Sequence, residues 1–325
     1  MFTLRFDMRA PAFGAPPADL YAAALDMAAW AEDNGAAAVI LSEHHATDDG
    51  HLPSPIVLAA ALAARTQRVG IVVAAVVLPF CDPVRLAEEM AVLDIVSRGR
   101  VMYVLGIGHR AEEYEHFGID PHRRGRLADE KLDLLLRLLR DEEVVHDGRR
   151  IRVTPRPTSP DGPTLFVGGG SLAAAERAGR FGLGLMAQAN PPGLRDAYEA
   201  ACRAAGHEPG FAQLPDPDTP TAVFVADDVD HAWDELGPHI LHDALTAASY
   251  RHGDEGVASI SRATTIDGLR SAGGAYQVLT VEEATDRVRQ GGRLPLLPLA
   301  GGLVPERAWH YLHRAADAVA AARSR

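Results

Sequence analysis

The amino-acid sequence predicts an α/β protein whose eight parallel strands close into a (β/α)₈ TIM barrel. Short apolar segments rich in Val, Ile and Leu alternate with amphipathic helical segments along the chain. Strands that are covered on both faces are apolar throughout, and strict alternation of strand and helix indicates a parallel sheet. The length of 325 residues suits a barrel, which needs about 250 residues or more. We therefore expect a single domain over residues 1–325.

Hydrophobic periodicity assigns the strands and helices of this repeat. The predicted strands are Phe2–Phe6, Ala37–Leu41, Val69–Leu78, Val101–Leu105, Leu165–Val167, Leu183–Ala187, Ala222–Ala226 and Leu294–Leu299. The predicted helices are Ala18–Asn34, Pro55–Arg65, Pro83–Val96, Arg124–Arg140, Leu172–Phe181, Gly193–Ala205, Val229–Ala248 and a closing helix over Ala308–Ala322. Pro295 and Pro298 each remove a hydrogen-bond donor from the eighth strand.

Two segments do not fit the repeat. Residues 144–153, around Asp147-Gly148, read as a β-hairpin excursion. The polar, glycine-rich stretch Arg251–Gly274 lies between the seventh helix and the eighth strand. In a barrel enzyme such an insertion is a candidate lid.

Composition excludes several classes of protein. The formal net charge is −12, whereas proteins that bind nucleic acid usually carry clustered Lys and Arg. Cys81 and Cys202 are the two cysteines and lie far apart, which suits a reducing cytoplasm better than a disulfide framework. The chain has neither a signal-peptide pattern at its start nor an apolar stretch of roughly 20 residues. We expect a cytoplasmic protein without a nucleic-acid or membrane partner.

A glycine run follows the fifth predicted strand, at the edge of a barrel where active sites lie. Backbone N–H groups of Gly168, Gly169 and Gly170, with Ser171 at the start of the next helix, would suit a phosphate group. The same residues also suit an ordinary tight turn with a serine N-cap. The spacing differs from the dinucleotide-binding fingerprint.

A second candidate is the sequence Glu43-His44-His45 after the second strand. A histidine at a strand end can take or deliver a proton near neutral pH, and His44 and His45 would face different environments because successive residues alternate in direction. His45 is better explained as a structural histidine that bonds the backbone. Asp48, Asp49 and His51 follow nearby, but no ligand pair has the i, i+4 spacing of a helical metal site, so no metal site is expected.

A third candidate follows the fourth strand. Gly106 and Gly108 would leave space for a flat ring system, and Arg110 could hold a phosphate through two hydrogen bonds. The alternative for Arg110 is an ion pair with Glu112, Glu113 or Glu115. In the third helix the charged Arg85, Glu88, Glu89 and Asp94 are expected to form a solvated face.

Four segments, in register, resemble the bacterial luciferase-like flavin monooxygenase superfamily. They are SEHH, VVLPFCDPVRLAEEMAVLDIVSRGR, LGIGHRAEEYEHFGID and PTLFVGGGSLAAAERAGRFGLG, and the resemblance returns at PLAGGLVPERAW. It covers most of residues 1–190. It implies a (β/α)₈ barrel, usually dimeric, that binds reduced FMN or the deazaflavin coenzyme at the carboxyl ends of its strands.

The resemblance also implies roles for particular residues. His44 matches the histidine that assists catalysis, Gly170 and Ser171 match the phosphate-binding turn, and Ala74-Ala75 fall where the family has a non-prolyl cis peptide beside the isoalloxazine ring. Two departures stand out. Ile107 occupies the position of the luciferases' phosphate-binding arginine, which Arg110 could replace. His109 stands where sugar-oxidising deazaflavin relatives place an acid.

These expectations combine into one main hypothesis. The protein would be a monooxygenase that uses oxygen and reduced FMN, the latter supplied by a flavin reductase, on a small organic substrate, and it would form a homodimer. The expected cofactor-binding residues are Ala74, Ala75, Gly106, Gly108, His109, Arg110, Gly168, Gly169, Gly170 and Ser171. One alternative is a deazaflavin-dependent hydride-transfer enzyme, and another is a non-catalytic flavin-binding or partner subunit.

Overall fold

The computed structural model describes residues 1–216, 219–250 and 257–324. Strands and helices alternate along most of the chain. In chain order they are β1 (Phe2–Phe6), α1 (Pro17–Asp33), β2 (Ala36–Leu41), α2 (Pro55–Arg65), β3 (Gly70–Val77), α3 (Pro83–Ser97), β4 (Val101–Gly106), α4 (Ala111–His116), α5 (Arg124–Arg140), β5 (Val144–His146), β6 (Arg149–Ile151), β7 (Thr164–Gly168), α6 (Leu172–Arg180), β8 (Gly184–Met186), α7 (Leu194–Ala204), β9 (Ala212–Gln213), β10 (Ala222–Ala226), α8 (Val229–Ser249), α9 (Ile266–Ala272), β11 (Tyr276–Thr280), α10 (Val281–Arg289), β12 (Leu294–Leu296) and α11 (Pro305–Arg323).

The chain divides into two compact units. The first comprises the described parts of residues 1–53, 68–70 and 216–325. Its strands pair in the order β11-β10-β12-β1-β2, and every pairing is parallel. In β1 the side chains alternate, with Phe2, Leu4 and Phe6 fully buried, and all five residues of β10 are buried. The next residues after β1 and β2 carry the polar groups described below.

The second unit comprises residues 54–67 and 71–215. Its strands pair in the order β3-β4-β7-β8-β9, again all in parallel. A separate antiparallel pair, β5 with β6, lies at the position of the predicted hairpin excursion. The mostly parallel α/β fold is as predicted. Closure into a barrel and a single domain over the whole chain stay predictions.

The prediction was wrong in the last third of the chain. The eighth predicted strand, Leu294–Leu299, ends at Leu296, and it pairs with β1 and β10. The segment before it contains two helices, α9 and α10, and a strand, β11, that pairs with β10 over five residues. Ile266 of α9 lies so close to Gly237 that a Cβ at Gly237 would be 2.8 Å from it. Residues 251–256 of the predicted lid lie outside the described residues, and the lid stays a prediction.

The third helix differs from the prediction at one position. Arg85 and Glu89 form an exposed ion pair, as expected for a solvated face. Asp94, by contrast, is 2% exposed and accepts hydrogen bonds from the backbone and side chains of Thr158 and Ser159 at 2.6–2.9 Å. Asp94 therefore ties α3 to the loop that precedes β7, a contact 64 residues away along the chain.

Within the described residues, none of the helices combines the length and the apolarity that a membrane crossing requires.

Candidate active site

Three neighbouring strands of the second unit, β3, β4 and β7, carry residues without side chains beyond Cβ at or near their carboxyl ends. Ala75 of β3, Gly106 of β4 and Gly168 of β7 are half-buried, whereas their neighbours Val76 and Leu105 are buried. The peptide bond between Ala74 and Ala75 is cis, as predicted. We call Ala75, Gly106 and Gly168 the small-residue surface.

The close approach of these strands explains why two of the three residues are glycines. A Cβ built on Gly106 would lie 3.0 Å from the Cβ of Ala75, and one built on Gly168 would lie 2.8 Å from Cγ1 of Val104 and 3.8 Å from the Cβ of Ala75. Larger side chains would fill this part of the second unit. The small-residue surface is therefore a half-buried area without long side chains, near the carboxyl ends of adjacent parallel strands.

The glycine turn that follows β7 leads directly into α6. Ser171 is the N-cap of this helix, and its hydroxyl accepts a hydrogen bond of 3.3 Å from the backbone N–H of Ala174. Gly169 has a φ of +139°, a conformation open mainly to glycine. A Cβ at Gly170 would lie 2.7 Å from the Cβ of Ala189. The turn thus forms the predicted serine cap, and the phosphate role of these residues stays a prediction.

Arg110 lies at the start of α4 and is 7% exposed. Its Nη1 is 3.2 Å from Oε1 of Glu113, which is 1% exposed. The alternative partner that the sequence offered is therefore present, in a buried rather than a surface ion pair. His109 is half-buried, and Gly108 has a φ of +70°. Contact of His109 or Arg110 with a phosphate stays a prediction.

The first unit holds His44 in a group of three aromatic rings. The His44 ring centroid lies 4.2 Å from that of His51 and 5.4 Å from that of Tyr250, and the other two centroids are 6.4 Å apart. A hydrogen bond of 3.1 Å joins Oγ of Ser42 to Nε2 of His51. His45 contacts the side-chain oxygen Oε1 of Glu43 at 2.8 Å, and the role expected for it stays a prediction. We call His44, His51 and Tyr250 the ring cluster.

Buried Arg9, in the loop after β1, is the centre of a polar network beside the ring cluster. Arg9 is 1% exposed, its Nη1 lies 2.6 Å from Oδ2 of Asp49, and its Nε lies 3.2 Å from Oδ1 of Asp243. The same guanidinium donates a hydrogen bond of 3.2 Å to the hydroxyl of Tyr250. His242 donates to Asp49 at 2.9 Å. Arg9 thereby connects the end of α8 to the loop after β2.

The helix that carries His242 and Asp243 is fixed from its other side by a turn at residues 300–302. Nδ1 of His239 lies 2.8 Å from the carbonyl oxygen of Gly301. Gly301 has a φ of +50°, and a Cβ there would collide with the carbonyl oxygen of His239. Glycine is therefore required at this contact, which lies within the PLAGGLVPERAW segment.

The network gives two of its carboxyl groups opposite pKa shifts. Burial and the nearby Asp243 carboxylate raise the pKa of Asp7 to about 6, against the weaker opposing effects of Arg9 and Arg5. Burial alone would also raise the pKa of Asp49, but the hydrogen bond from His242 and the charge of Arg9 hold it well below its ordinary range. Two arginines thus face three carboxylates, and of Asp7 and Asp49 it is Asp7 that more readily holds a proton.

Asp49 and His51, which were considered as metal ligands from the sequence, have other partners. Asp49 binds Arg9 and His242, and His51 is hydrogen-bonded to Ser42. Among the described residues no group of three or more His, Cys, Asp or Glu side chains has the arrangement of a metal site.

Only some residues of the small-residue surface, the ring cluster and the Arg9 network could be predicted from the sequence. Gly106 and Gly168 end β4 and β7, and Ala75 lies two residues before the end of β3, so the three residues lie near one another. No sequence pattern identified Tyr250, His242, Asp243 or Tyr276, whose hydroxyl donates a hydrogen bond of 2.8 Å to Asp243. They lie in or after α8 and in β11, and the contact between His242 and Asp49 spans 193 residues.

The family to which this arrangement belongs is shown by comparison with known proteins. The family model for luciferase-like monooxygenases matches residues 5–291. Limonene 1,2-monooxygenase from Rhodococcus erythropolis is 32% identical over 168 residues, which are 49% of this chain and 43% of that enzyme. The chain spans about half the length, or less, of the curated relatives that it matches.

Solved structures share the fold over nearly the whole chain. The monooxygenase RslO1 from Streptomyces bottropensis has a TM-score of 0.76 at 25% identity, with 98% of this chain and 99% of that chain covered. The oxygenating constituent of 3,6-diketocamphane monooxygenase from Pseudomonas putida, in complex with FMN, has a TM-score of 0.72 at 19% identity, with 98% of each chain covered. This chain is a member of the luciferase-like monooxygenase family.

Proposed function

We propose that this protein is a flavin-dependent monooxygenase that uses reduced FMN and molecular oxygen to oxidise a small organic substrate. The observation that carries the proposal is the small-residue surface. A half-buried area without long side chains, near the carboxyl ends of parallel strands, suits one face of a fused ring system, and ligands of parallel α/β folds bind at this edge. FMN in the diketocamphane enzyme of the same fold supports this choice of cofactor.

The residues of the second unit fit the parts of FMN. Ala74, Ala75, Gly106 and Gly108 would contact the ring. At Gly106 and Gly108 the chain packs so closely against Ala75 and Val77 that a Cβ would lie 3.0 Å or less from their side chains. Gly168–Ser171, at the N-terminus of the nine-residue helix α6, would hold the phosphate through backbone N–H groups and the helix dipole. His109 and Arg110 would lie at the polar end of the cofactor. Reduced flavin, when bound, supplies the electrons for oxygen activation, and the protein orients and shields it.

His44 is proposed as the proton donor or acceptor of the reaction. Its ring is half-buried at the end of β2, and its backbone N–H is fixed by a hydrogen bond of 3.0 Å to the carbonyl of Leu52. An imidazole in such a place can exchange a proton near neutral pH.

Two alternatives differ in cofactor or in turnover. The same surface would also seat the deazaflavin coenzyme, in which case the reaction would be hydride transfer. A flavin-binding subunit without turnover would need only the small-residue surface. Reduced FMN as cofactor implies a flavin reductase as the supplier, and we propose a homodimer as the functional form.

Titration of the purified protein with FMN and with the deazaflavin coenzyme tests the cofactor. We expect FMN to bind, and an Ala75→Leu variant to lose binding because the larger side chain covers the small-residue surface. Ala37→Leu, at an exposed position of β2, is the matched control and should bind normally. Binding of FMN by Ala75→Leu with unchanged affinity would contradict the site.

Oxygen uptake with reduced FMN tests the reaction. We expect His44→Gln to bind FMN normally and to lower turnover by a factor of about 100 or more, the usual contribution of a general acid or base. Unchanged turnover would remove His44 from the mechanism. A protein that binds FMN but consumes no oxygen with any substrate would favour the non-catalytic subunit.

A further inference from the structure

The contact between the rings of His44 and His51 is close. Their centroids are 4.2 Å apart, and the ring planes are inclined by 37°. Neither the role of the glycine turn nor that of the small-residue surface explains a second histidine at this place. His51 is 7% exposed, so its ring is an internal part of the first unit.

Both histidines are held by contacts outside the pair. The backbone N–H of His51 donates a hydrogen bond of 2.9 Å to Oγ1 of Thr47, and the ring Nε2 of His51 is hydrogen-bonded to Ser42. The backbone N–H of His44 donates to Leu52, whose own N–H donates 2.9 Å to the carbonyl of Asp7. Since both rings are attached to fixed backbone, the two imidazoles have little freedom to move apart.

Charged groups of the described elements around the two rings form pairs with one another. These titratable groups are Asp7 and Arg9 after β1, Glu43, His45, Asp48 and Asp49 in the loop after β2, His242, Asp243 and Tyr250 at the end of α8, and Tyr276 in β11. Asp49 is paired with Arg9 and His242, and Glu43 with His45. Asp49 therefore lies against the Arg9 guanidinium, and Glu43 lies against the His45 ring.

We propose that His51 is a positioning residue for His44, and that the two rings form a coupled pair that holds a single proton in the neutral pH range. This inference rests on the proposed function, in which His44 moves a proton. Two positively charged imidazoles at this separation repel each other, so protonation of one opposes protonation of the other. His51 would fix the direction of the His44 ring and keep it available as a neutral base below the pH at which a lone imidazole is protonated.

An NMR titration of the wild-type protein, with ¹³C- or ¹⁵N-labelled histidine, tests the pair without any turnover. We expect the His44 and His51 resonances to change together in two steps separated by more than about one pH unit. His51→Tyr retains a ring against His44 but removes the second titrating group. In this variant His44 should titrate in one step. The midpoint of that step should lie about one pH unit above the lower of the two wild-type midpoints.

The same variants separate positioning from charge in turnover. His51→Tyr should retain kcat within a factor of about three at pH 8 and move the acidic limb of the pH profile upward, as the titration does. His51→Ala removes the ring contact and should lower kcat at every pH. His231→Gln, an exposed histidine on α8, is the control for loss of one histidine and should match the wild type.

Independent single-step titration of His44 and His51 in the wild type would overturn the proposal, as would an acidic limb that does not move in His51→Tyr. A coupled titration together with full oxygen uptake by His44→Gln would support the imidazole pair and refute its use in the proposed reaction. The wild-type titration decides the pairing even if a variant at position 51 does not fold.

Discussion

Asp7 and Asp49 show how environment sets the behaviour of chemically identical groups. Both are buried carboxyls beside Arg9, at 3% and 8% exposure. Asp49 receives short hydrogen bonds from Arg9 and His242, whereas Oδ2 of Asp7 lies 3.9 Å from Nε of Arg9 and faces the charge of Asp243. A hydrogen-bonded carboxylate is stabilised in its charged form, and a buried one beside another carboxylate is destabilised.

We expect the stability of Asp7→Asn, relative to that of the wild type, to increase as the pH rises. The pKa of Asp7 is raised to about 6 in the folded protein, from an ordinary value of 3.8. Between these values the folded state binds a proton that the unfolded state does not, so this group's stabilisation is present below pH 4 and is lost as the pH rises through 6. Urea unfolding at pH 5 and pH 7.5 should show the free energy of unfolding of Asp7→Asn, relative to wild type, increasing with pH.

Asp49→Asn provides the contrast to Asp7→Asn. The pKa of Asp49 lies below its ordinary range, so its stabilisation is present above pH 4 and is lost only in stronger acid. The free energy of unfolding that Asp49→Asn loses relative to wild type should therefore be the same at pH 5 and pH 7.5. Parallel pH dependences for the two variants would show that the network does not treat the two carboxyls differently.

Asp94 gives a prediction for stability alone. It is 2% exposed and is the acceptor for Thr158 and Ser159. Asp94→Ala would leave these donors without their acceptor, which we expect to lower the free energy of unfolding by about 2–4 kcal/mol. Glu89→Ala on the same helix breaks the exposed ion pair with Arg85. This substitution should change the free energy of unfolding by less than about 1 kcal/mol. Equal effects of the two substitutions would contradict the buried role of Asp94.

What could be predicted of the candidate site follows from distance along the chain. Gly106 ends an apolar strand and His44 follows one, so the strand ends identify them, whereas Ala75 was located by the resemblance to the luciferase-like superfamily. Asp94 has the helical spacing of a surface charge, and its burial depends on a loop 64 residues later. Tyr250 stands at the end of α8, and a helix end gives no indication of which strand loop it meets.

Helix α6 illustrates a feature that is both structural and potentially functional. Its N-terminus follows the glycine turn, and Ser171 caps it. A serine N-cap contributes about 1 kcal/mol to stability whether or not a ligand binds there. Stability alone therefore cannot distinguish a cap from a phosphate site.

Ser171→Asp separates the two roles of this helix start. Asp is as good an N-cap as Ser, so the melting temperature should stay within about 2 °C of wild type. Its carboxylate would repel a phosphate group, so the Kd for FMN should rise by at least about tenfold, while that for riboflavin, which lacks the phosphate, should not change. Equal changes for FMN and riboflavin would place the phosphate elsewhere.

The elements that the sequence did not predict share a physical cause. Strand β11, YQVLT, is short and mixed in polarity, with a burial pattern that alternates only in its first three residues. Its identity as a strand depends on pairing with β10, which is a tertiary contact rather than a local preference. Strands β2, β3 and β4, by contrast, are apolar runs. The helix between β3 and β4 has a clear start at Asp82, which accepts hydrogen bonds from Val84 and Arg85.

One surface of the second unit remains unusually apolar. Val92, Ile95 and Val96 of α3 are 48%, 37% and 45% exposed, and Val57 of α2 is 71% exposed. Positions 92, 95 and 96 are three and four residues apart and so lie on one side of the helix. Exposed aliphatic groups of this kind are typical of protein–protein interfaces. Helices α2 and α3 are therefore where we expect the proposed homodimer to form.

Charge substitution on this surface tests the dimer. We expect the wild-type protein to elute as a dimer in size-exclusion chromatography with light scattering, and Val57→Glu combined with Val92→Glu to shift it to a monomer, because two copies would bring like charges into an apolar contact. Val145→Glu, at a 59% exposed position of the β5–β6 hairpin, adds the same type of charge outside α2 and α3 and should leave the dimer intact. Since the substituted side chains are already exposed, the far-ultraviolet circular dichroism should not change. A monomeric wild type would refute the homodimer, and a double variant that stays dimeric would move its interface away from these helices.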